Sequence, residues 1–517
     1  MTRSVSEKAS FTKKVVLNGL WVFGQRAGGR LLGLVRNIIL ARLLFPDDFG
    51  LIGLAMIAVS ALDCASQVGF QQALVQERQD IRPYLDTAWA ASAMRSGLLF
   101  AAMFIAAPHV ADFFREGRLT EIIRVVALSY LLYGFMNVGV LYFEKELQFH
   151  RQFIYEATAH IVDVAVSILV ALATRDVWAL VWGGLAGNLM RCILSYILHP
   201  WRPSFRFDIA RFRKLFRFGR WVFLSGVAGY AAIQLDSIVV GRMLSAAHVG
   251  YYQLAALFSS LPATEVAIVL AMVLFPSYAK LQGEPGRLRE AHRRVLQFTA
   301  LLCIPMGCGT IALAPELTRV LLGETWLPVI PVIEILGVLG ISRAFEISSS
   351  TLFMGMGRPQ YVTRMTTLQL ILLAMGLYPS IRLWGLEGAA LSAVAASLAV
   401  NGAAMKKATV LTGLAGRDLL RLLAAPAGAS ALMTLGLAAL KPFLVCSPAG
   451  LAALVFSGIA IYGLAIVIID NRFLADGYRN MGRALLGSLT GGNRQEPLQG
   501  GFDGGALSRK KDLRGVR

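Results

Sequence analysis

Arg26, Arg30 and Arg36 stand in an otherwise apolar stretch, Val15 to Leu44. On a helix advancing about 100° per residue, Gln25, Arg36, Gly29, Gly33, Arg26, Asn37 and Arg30 fall within an arc of about 140°. Trp21, Leu31, Leu32, Leu34, Val35, Ile38 and Ile39 cover most of the remaining circumference. The stretch can cross a bilayer, for which about 20 residues suffice. Each arginine at mid-membrane costs about 2.5–3.5 kcal/mol on insertion scales, so the stripe must turn from lipid towards water or protein. Two roles fit it: a structural polar seam between helices, or a cationic wall facing a cavity that receives an anion. Guanidinium suits phosphate because its planar fork donates two hydrogen bonds at once and stays charged. Gly28, Gly29 and Gly33 remove bulk beside the arginines, which permits close helix packing or room for a large head group.

Other charges inside predicted spans are few. The first half adds Asp63, Arg95 and Asp163; the second has Arg220, Asp236, Glu265, Arg343 and Glu346. Arg95, Asp63, Asp236, Arg343 and Glu346 join Arg26, Arg30 and Arg36 as candidate substrate-binding residues. For each, a structural ion pair or an interhelical hydrogen bond is the alternative. Asp163 and Glu265 fit that alternative, and Arg343 and Glu346, at i and i+3, can pair with each other. Arg220 is close enough to an interface to snorkel. Arg42 and Arg242 end their spans and read as helix anchors. His160 reads as a packed polar residue. Asp63 and Asp236 are candidates to carry a coupling proton or Na⁺, with nothing in the sequence to select the ion.

No catalytic residue, cofactor or metal is expected. The chain has no G-x-x-x-x-G-K-[ST] loop, no H-E-x-x-H and no Cys/His zinc spacing. Its five cysteines, Cys64, Cys192, Cys303, Cys308 and Cys446, mostly lie in apolar runs, so a disulfide framework is not expected.

The elements that must hold these side chains are membrane helices. The 517 residues are 56% hydrophobic and 16% charged, with a mean hydropathy of +0.61. Soluble domains are nearer 45–50% apolar and about 25% charged. The apolar runs are continuous, which excludes an outer-membrane barrel with its short alternating strands. The expected fold is an all-α polytopic membrane protein with about fourteen transmembrane helices. Lys13 and Lys14 precede an apolar stretch, but Gln25 and Arg26 interrupt it and no small-residue cleavage site follows, so the first helix is expected to be kept.

The formal charge of +19 points to the cytoplasmic membrane face and anionic lipid, not to nucleic acid. Cations crowd alternate connections, including Arg202 to Arg217 and Lys280 to Arg294, while Pro46–Asp47–Asp48 and Ser245–His248 carry none. That bias places both termini in the cytoplasm of a multi-pass inner-membrane protein.

A repeat divides the chain. Ile39-Leu-Ala-Arg42-Leu-Leu44-Phe-Pro-Asp-Asp-Phe-Gly50 aligns with Val239-Val-Gly-Arg242-Met-Leu244-Ser-Ala-Ala-His-Val-Gly250 at an offset of 200. A weaker echo links Phe143–Phe149 with Phe353–Tyr361. Six spans per half preserve orientation, so the halves are parallel repeats enclosing a central cavity. The expected organisation is a cytoplasmic tail (1–14), an N-lobe of helices 1–6 (15–199), a cytoplasmic linker (200–214), a C-lobe of helices 7–12 (215–410), two extra C-terminal helices (411–470), and a basic, Gly-rich cytoplasmic tail (471–517).

Four stretches, in order, carry a family resemblance: Ala41-Arg-Leu-Leu-Phe-Pro-Asp-Asp-Phe-Gly-Leu-Ile, Gly69-Phe-Gln-Gln-Ala-Leu-Val-Gln-Glu-Arg-Gln-Asp80, Gln234-Leu-Asp-Ser-Ile-Val-Val-Gly-Arg242 and Gly355-Met-Gly-Arg-Pro-Gln-Tyr361. Over about residues 10 to 470 the chain resembles Wzx-type polysaccharide transporters of the multidrug/oligosaccharidyl-lipid/polysaccharide superfamily. The resemblance implies a flippase that moves undecaprenyl-pyrophosphate-linked oligosaccharide from the cytoplasmic to the periplasmic leaflet by alternating access. The pathway would be exopolysaccharide, O-antigen or capsule synthesis, alongside a polymerase and export machinery. It implies that cationic cavity residues meet the pyrophosphate, for which Arg26 and Arg30 match by position, with Arg95, Asp63 and Asp236 weaker matches. A drug/cation antiporter of the same superfamily would want an acidic cavity. A polysaccharide polymerase or ligase would want a sizeable periplasmic loop.

Overall fold

A computed structural model describes residues 2–66, 82–146, 148–204, 229–444 and 447–469. The motif Gly69–Asp80, residue Arg220, residues 205–214 of the expected linker and the tail 471–517 lie outside these.

The described residues form a bundle of long helices. They are α1 (Thr2–Leu43), α2 (Pro46–Ser66), α3 (Arg82–Phe114), α4 (Leu119–Val126), α5 (Leu128–Gly134), α6 (Phe149–Thr174) and α7 (Trp178–Leu198). Then come α8 (229–243), α9 (Ala246–Lys280), α10 (Pro285–Ala312), α11 (Ile330–Gly355), α12 (Pro359–Thr412), α13 (Gly416–Leu440) and α14 (Pro448–Ile469). Among the described residues, ten helical stretches are long and apolar enough to span a membrane. One of them is broken internally into two. Gly385 adopts φ +57° beside the non-helical Trp384, which breaks α12 into two arms. A Cβ at Gly388 would lie 2.0 Å from the Ser380 carbonyl oxygen, so glycine lets the arms turn back tightly on each other. Helices α4 and α5 stack end to end through Ala127.

Local chemistry sets the joint between α1 and α2. Pro46 occupies the first turn of α2, where its missing N–H costs nothing. Asp47 and Asp48 follow at the positive end of the helix dipole. The Phe45 N–H donates to Asp48 Oδ2 at 3.0 Å and closes the turn.

The 200-residue repeat reappears as a reciprocal contact between the two halves. A Cβ on Gly50 would lie 1.7 Å from the carbonyl oxygen of Ala246, and one on Gly250 would lie 2.0 Å from that of Pro46. Residues 50 and 246 meet as residues 250 and 46 meet, which is the signature of a two-fold relation. Gly53 faces Gln253 in the same register. The two arginines of the repeat behave alike. Arg42 Nε donates to the Leu321 carbonyl at 2.9 Å, and its Nη2 also donates to the Val320 carbonyl. Arg242 lies over the Phe113 ring at 5.6 Å. Arg42 thus anchors its helix on the segment that follows α10, and Arg242 on the last turn of α3, each in the other half.

Trp326, fully buried, fills the centre of this clamp. Its indole N–H donates to the Ala41 carbonyl at 2.8 Å. Phe49 and Tyr251 meet it edge-on at 5.3 and 5.8 Å. The apolar cluster around it runs through residues of both halves without interruption.

Replacing Gly50 with valine should wedge the clamp apart, since forcing atoms into a packed contact costs about 1–3 kcal/mol. Leu44 is 3% exposed. In a chain whose native cysteines are replaced, a cysteine at position 44 should react with maleimide at least about tenfold faster when Gly50→Val is present. An unchanged rate would contradict the clamp.

Candidate functional site

The 140° polar arc of α1 divides between two neighbours. Its Arg36 edge faces α6, and its Arg26–Arg30 edge faces α9.

On the first edge, Arg36 Nη2 lies 3.4 Å from Asp163 Oδ1, and its Nε donates to Ser167 Oγ at 3.1 Å. Ser167 in turn donates to Asp163 Oδ1 at 3.2 Å. The Arg36 and Asp163 side chains are 20% and 17% exposed. A satisfied, mostly enclosed pair of this kind joins helices. Arg36, a candidate substrate contact, is held by this pair between α1 and α6. A Cβ on Gly29 would approach the His160 ring at 3.6 Å, so His160 packs against the same seam.

The seam continues along one face of α6 through Glu156, which sequence reasoning missed. Arg191 of α7, also missed, donates from Nε to Glu156 Oε2 at 3.1 Å and from Nη1 to Asn188 Oδ1 at 3.0 Å. Each is one charge in a long apolar run, and the spacing 156, 160, 163 and 167 was the available signal.

On the second edge, Arg26 Nε donates to Glu265 Oε2 at 2.9 Å. Arg30 Nε lies 3.1 Å from Glu265 Oε1. One carboxylate of α9 thus serves two guanidinium groups of α1. The cluster keeps a net charge of +1. The cluster is not sealed by protein: the Arg26, Arg30 and Glu265 side chains are 31%, 56% and 23% exposed. Gly33 lies on the same face of α1, and a Cβ there would meet nothing within 4 Å. That glycine leaves room beside the arginines. At about 1.5 Å rise per residue, the three side chains sit about 20–28 Å from the clamp. Helix α1 packs along α6 and reaches α9 at this depth through side chains. The expectation that Glu265 is an ion-pair partner holds, and its partners are the two arginines of greatest interest.

The remaining candidates lie apart from this cluster. Arg95 Nη2 donates to Asp63 Oδ1 at 2.5 Å and to Ser66 Oγ at 2.8 Å, and its Nε donates to the Ser66 carbonyl at 3.0 Å. It caps the end of α2, where free carbonyls favour a cation. Asp236 is 7% exposed and accepts hydrogen bonds from Tyr252 Oη at 2.7 Å and the Ser237 N–H at 2.7 Å. It is enclosed by protein. Arg343 and Glu346 are half-buried on α11, and among the described residues neither forms a salt bridge. The salt bridge that their i, i+3 spacing allows is not made.

A profile of the polysaccharide biosynthesis protein family matches residues 39–331, more than half of the chain. This chain belongs to that family. Two curated relatives are a lipopolysaccharide biosynthesis protein, WzxC, of Escherichia coli K12 and a succinoglycan biosynthesis transport protein, ExoT, of Rhizobium meliloti. WzxC is 23% identical over 63% of this chain and 67% of its own length; ExoT is 26% identical over 66% and 68%. Among solved structures, the lipid II flippase MurJ in an inward closed conformation superposes with a TM-score of 0.71 and 14% identity, over 89% of this chain and all of that one. An inward-facing MATE multidrug transporter of the MOP superfamily gives 0.57 and 16% identity, over 75% and 96%. The family member described here therefore has the fold of that superfamily.

The assignment of Arg36 to structure is testable. Arg36→Ala strands a mostly enclosed Asp163, and removing one partner of a buried pair costs about 3–5 kcal/mol. The thermal unfolding midpoint should fall by several degrees, and Asp163→Asn in the same chain should restore most of it. An additive loss in the double variant would contradict the pairing.

Proposed function

We propose that this polysaccharide biosynthesis protein is a flippase, not an enzyme. It moves an undecaprenyl-pyrophosphate-linked oligosaccharide from the cytoplasmic to the periplasmic leaflet of the bacterial inner membrane, for surface polysaccharide synthesis. One observation carries the reading. Arg26 and Arg30 share a single carboxylate, stay partly exposed, and lie between two halves that grip each other elsewhere. A pyrophosphate diester carries two negative charges and several acceptor oxygens, which a pair of guanidinium forks accommodates.

The cation bias of the loops supports a clamp on the periplasmic side and an arginine site entered from the cytoplasm. The head group docks on Arg26 and Arg30 while the lipid tail stays in the bilayer beside the halves. Rocking of the halves then breaks the clamp and exposes the site to the other face. Cargo drives this only as far as it binds one state better than the other. Asp63 and Asp236 are the acidic groups to test for a coupling proton or Na⁺. A polymerase and export proteins are the partners this cargo would need. The drug/cation antiporter reading is disfavoured by the net positive charge of the cluster, which repels a cationic cargo.

In proteoliposomes, Arg26→Ala and Arg30→Ala should each slow translocation of an undecaprenyl-pyrophosphate-linked sugar by about tenfold or more, the loss expected for one charge-assisted contact. Arg30→Lys should retain part of the rate, because lysine keeps the charge and loses the fork. Unchanged rates in well-folded variants would sink the assignment.

A further inference from the structure

The carboxylate that Arg26 and Arg30 share occupies the place an incoming phosphate would take. Glu265 reaches both guanidinium groups at their Nε atoms, at 2.9 and 3.1 Å. Among the described residues, no hydrogen bond is made by the terminal nitrogens of either arginine. Each guanidinium has five N–H donors, so the outer edges of both forks remain available. The site is half-satisfied: held enough to keep two cations on one helix from repelling each other, and open enough to accept more negative charge.

We infer that Glu265 is a displaceable counter-anion: it fastens α1 to α9 while the carrier is empty, and yields its place to the pyrophosphate of the cargo. This rests on the flippase reading above and adds a role for the acidic partner. The charge count motivates displacement. Two guanidiniums and one carboxylate sum to +1. A doubly charged pyrophosphate added to that set leaves −1, whereas the same ligand without the carboxylate leaves zero. Like charges at contact distance in a restricted aqueous space repel, so ligand and Glu265 compete for the arginines. The Glu265 side chain is 23% exposed, so the carboxylate is not locked in place by surrounding protein.

The arrangement links occupancy to the contact between halves. Glu265 belongs to the second half and both arginines to the first, with 239 residues between Arg26 and Glu265. Applying the 200-residue offset, Glu265 corresponds to Ala65, Arg26 to Gly226 and Arg30 to Tyr230. The ion pairs therefore have no counterpart at the repeat-related positions. Cargo binding exchanges an inter-half bridge for protein–ligand contacts. The returning carboxylate replaces the cargo's anion after transfer, which favours release. A site with two bare arginines would bind its ligand more tightly and discharge it more slowly.

The test uses the purified full-length protein in lipid nanodiscs and inorganic pyrophosphate as probe, with binding followed by calorimetry. Glu265→Gln should bind pyrophosphate about tenfold more tightly than the native chain, since one competing charge is gone. The Arg26→Ala, Arg30→Ala double variant should lose binding. Glu265→Asp, shorter by one methylene and so unable to reach both guanidiniums, should fall between the native chain and the glutamine variant. It also serves if the glutamine variant does not fold. Spin labels at the exposed Leu31 of α1 and Met272 of α9 should separate on adding pyrophosphate to the native chain, and stand apart without it in Glu265→Gln. Equal affinity in the native and glutamine chains, with binding still lost in the arginine double variant, would overturn the counter-anion role and leave the flippase reading standing. Absence of binding in every form would overturn both.

Discussion

A guanidinium group cannot be left facing hydrocarbon, and that constraint organises this molecule. Arg26, Arg30 and Arg36 lie on a single membrane helix, and the structure answers each charge differently. Arg36 is neutralised within its own half by Asp163 and Ser167. Arg26 and Arg30 are answered by one carboxylate from the opposite half. The first solution is a mostly enclosed seam that fixes α1 to α6. The second is incomplete, and an incomplete solution is stable only where water or an anion can complete it.

The clamp makes that incompleteness tolerable. Glycines at 50 and 250 let the backbones of α2 and α9 touch, and Trp326 seals the space around them. Arg42 and Arg242 each dock on the far half and lock the register. With the halves secured at one end, α1 and α9 can stand apart at the depth of Glu265, about 20–28 Å along. Bringing backbones into contact at one level and leaving side chains to bridge the other gives a lever, with tight packing at one end and exchangeable electrostatics at the other. Alternating access needs such a division, because the closed end must resist lipid and water while the open end admits cargo.

Much of this was legible in the sequence. The period of the apolar runs gave the spans, and Arg42/Arg242 with Gly50/Gly250 gave the repeat whose reciprocal contacts the structure displays. The arc of α1 placed Arg26 and Arg30 among the candidates. What stayed hidden were partnerships across long separations. Nothing in a single helix says that Glu265 answers Arg26, because a contact over 239 residues leaves no periodic trace. For the same reason Arg36 could not be separated from its two neighbours on the arc until α6 was placed beside it. Glu156 and Arg191 were overlooked because a lone charge barely lowers the hydropathy of a long span. Trp326 looks like any interfacial aromatic until its N–H is seen bonded to Ala41 in the other half.

In the proposed transport cycle, Arg26 and Arg30 receive the phosphate groups of a lipid-linked cargo. The most direct measurement is a high-resolution cryo-electron microscopy structure of the full chain in nanodiscs with an undecaprenyl-pyrophosphate-linked oligosaccharide. The account predicts phosphate density within hydrogen-bonding reach of both guanidinium groups, with Glu265 withdrawn from them. Phosphate density elsewhere, with both arginines still on Glu265, would contradict it.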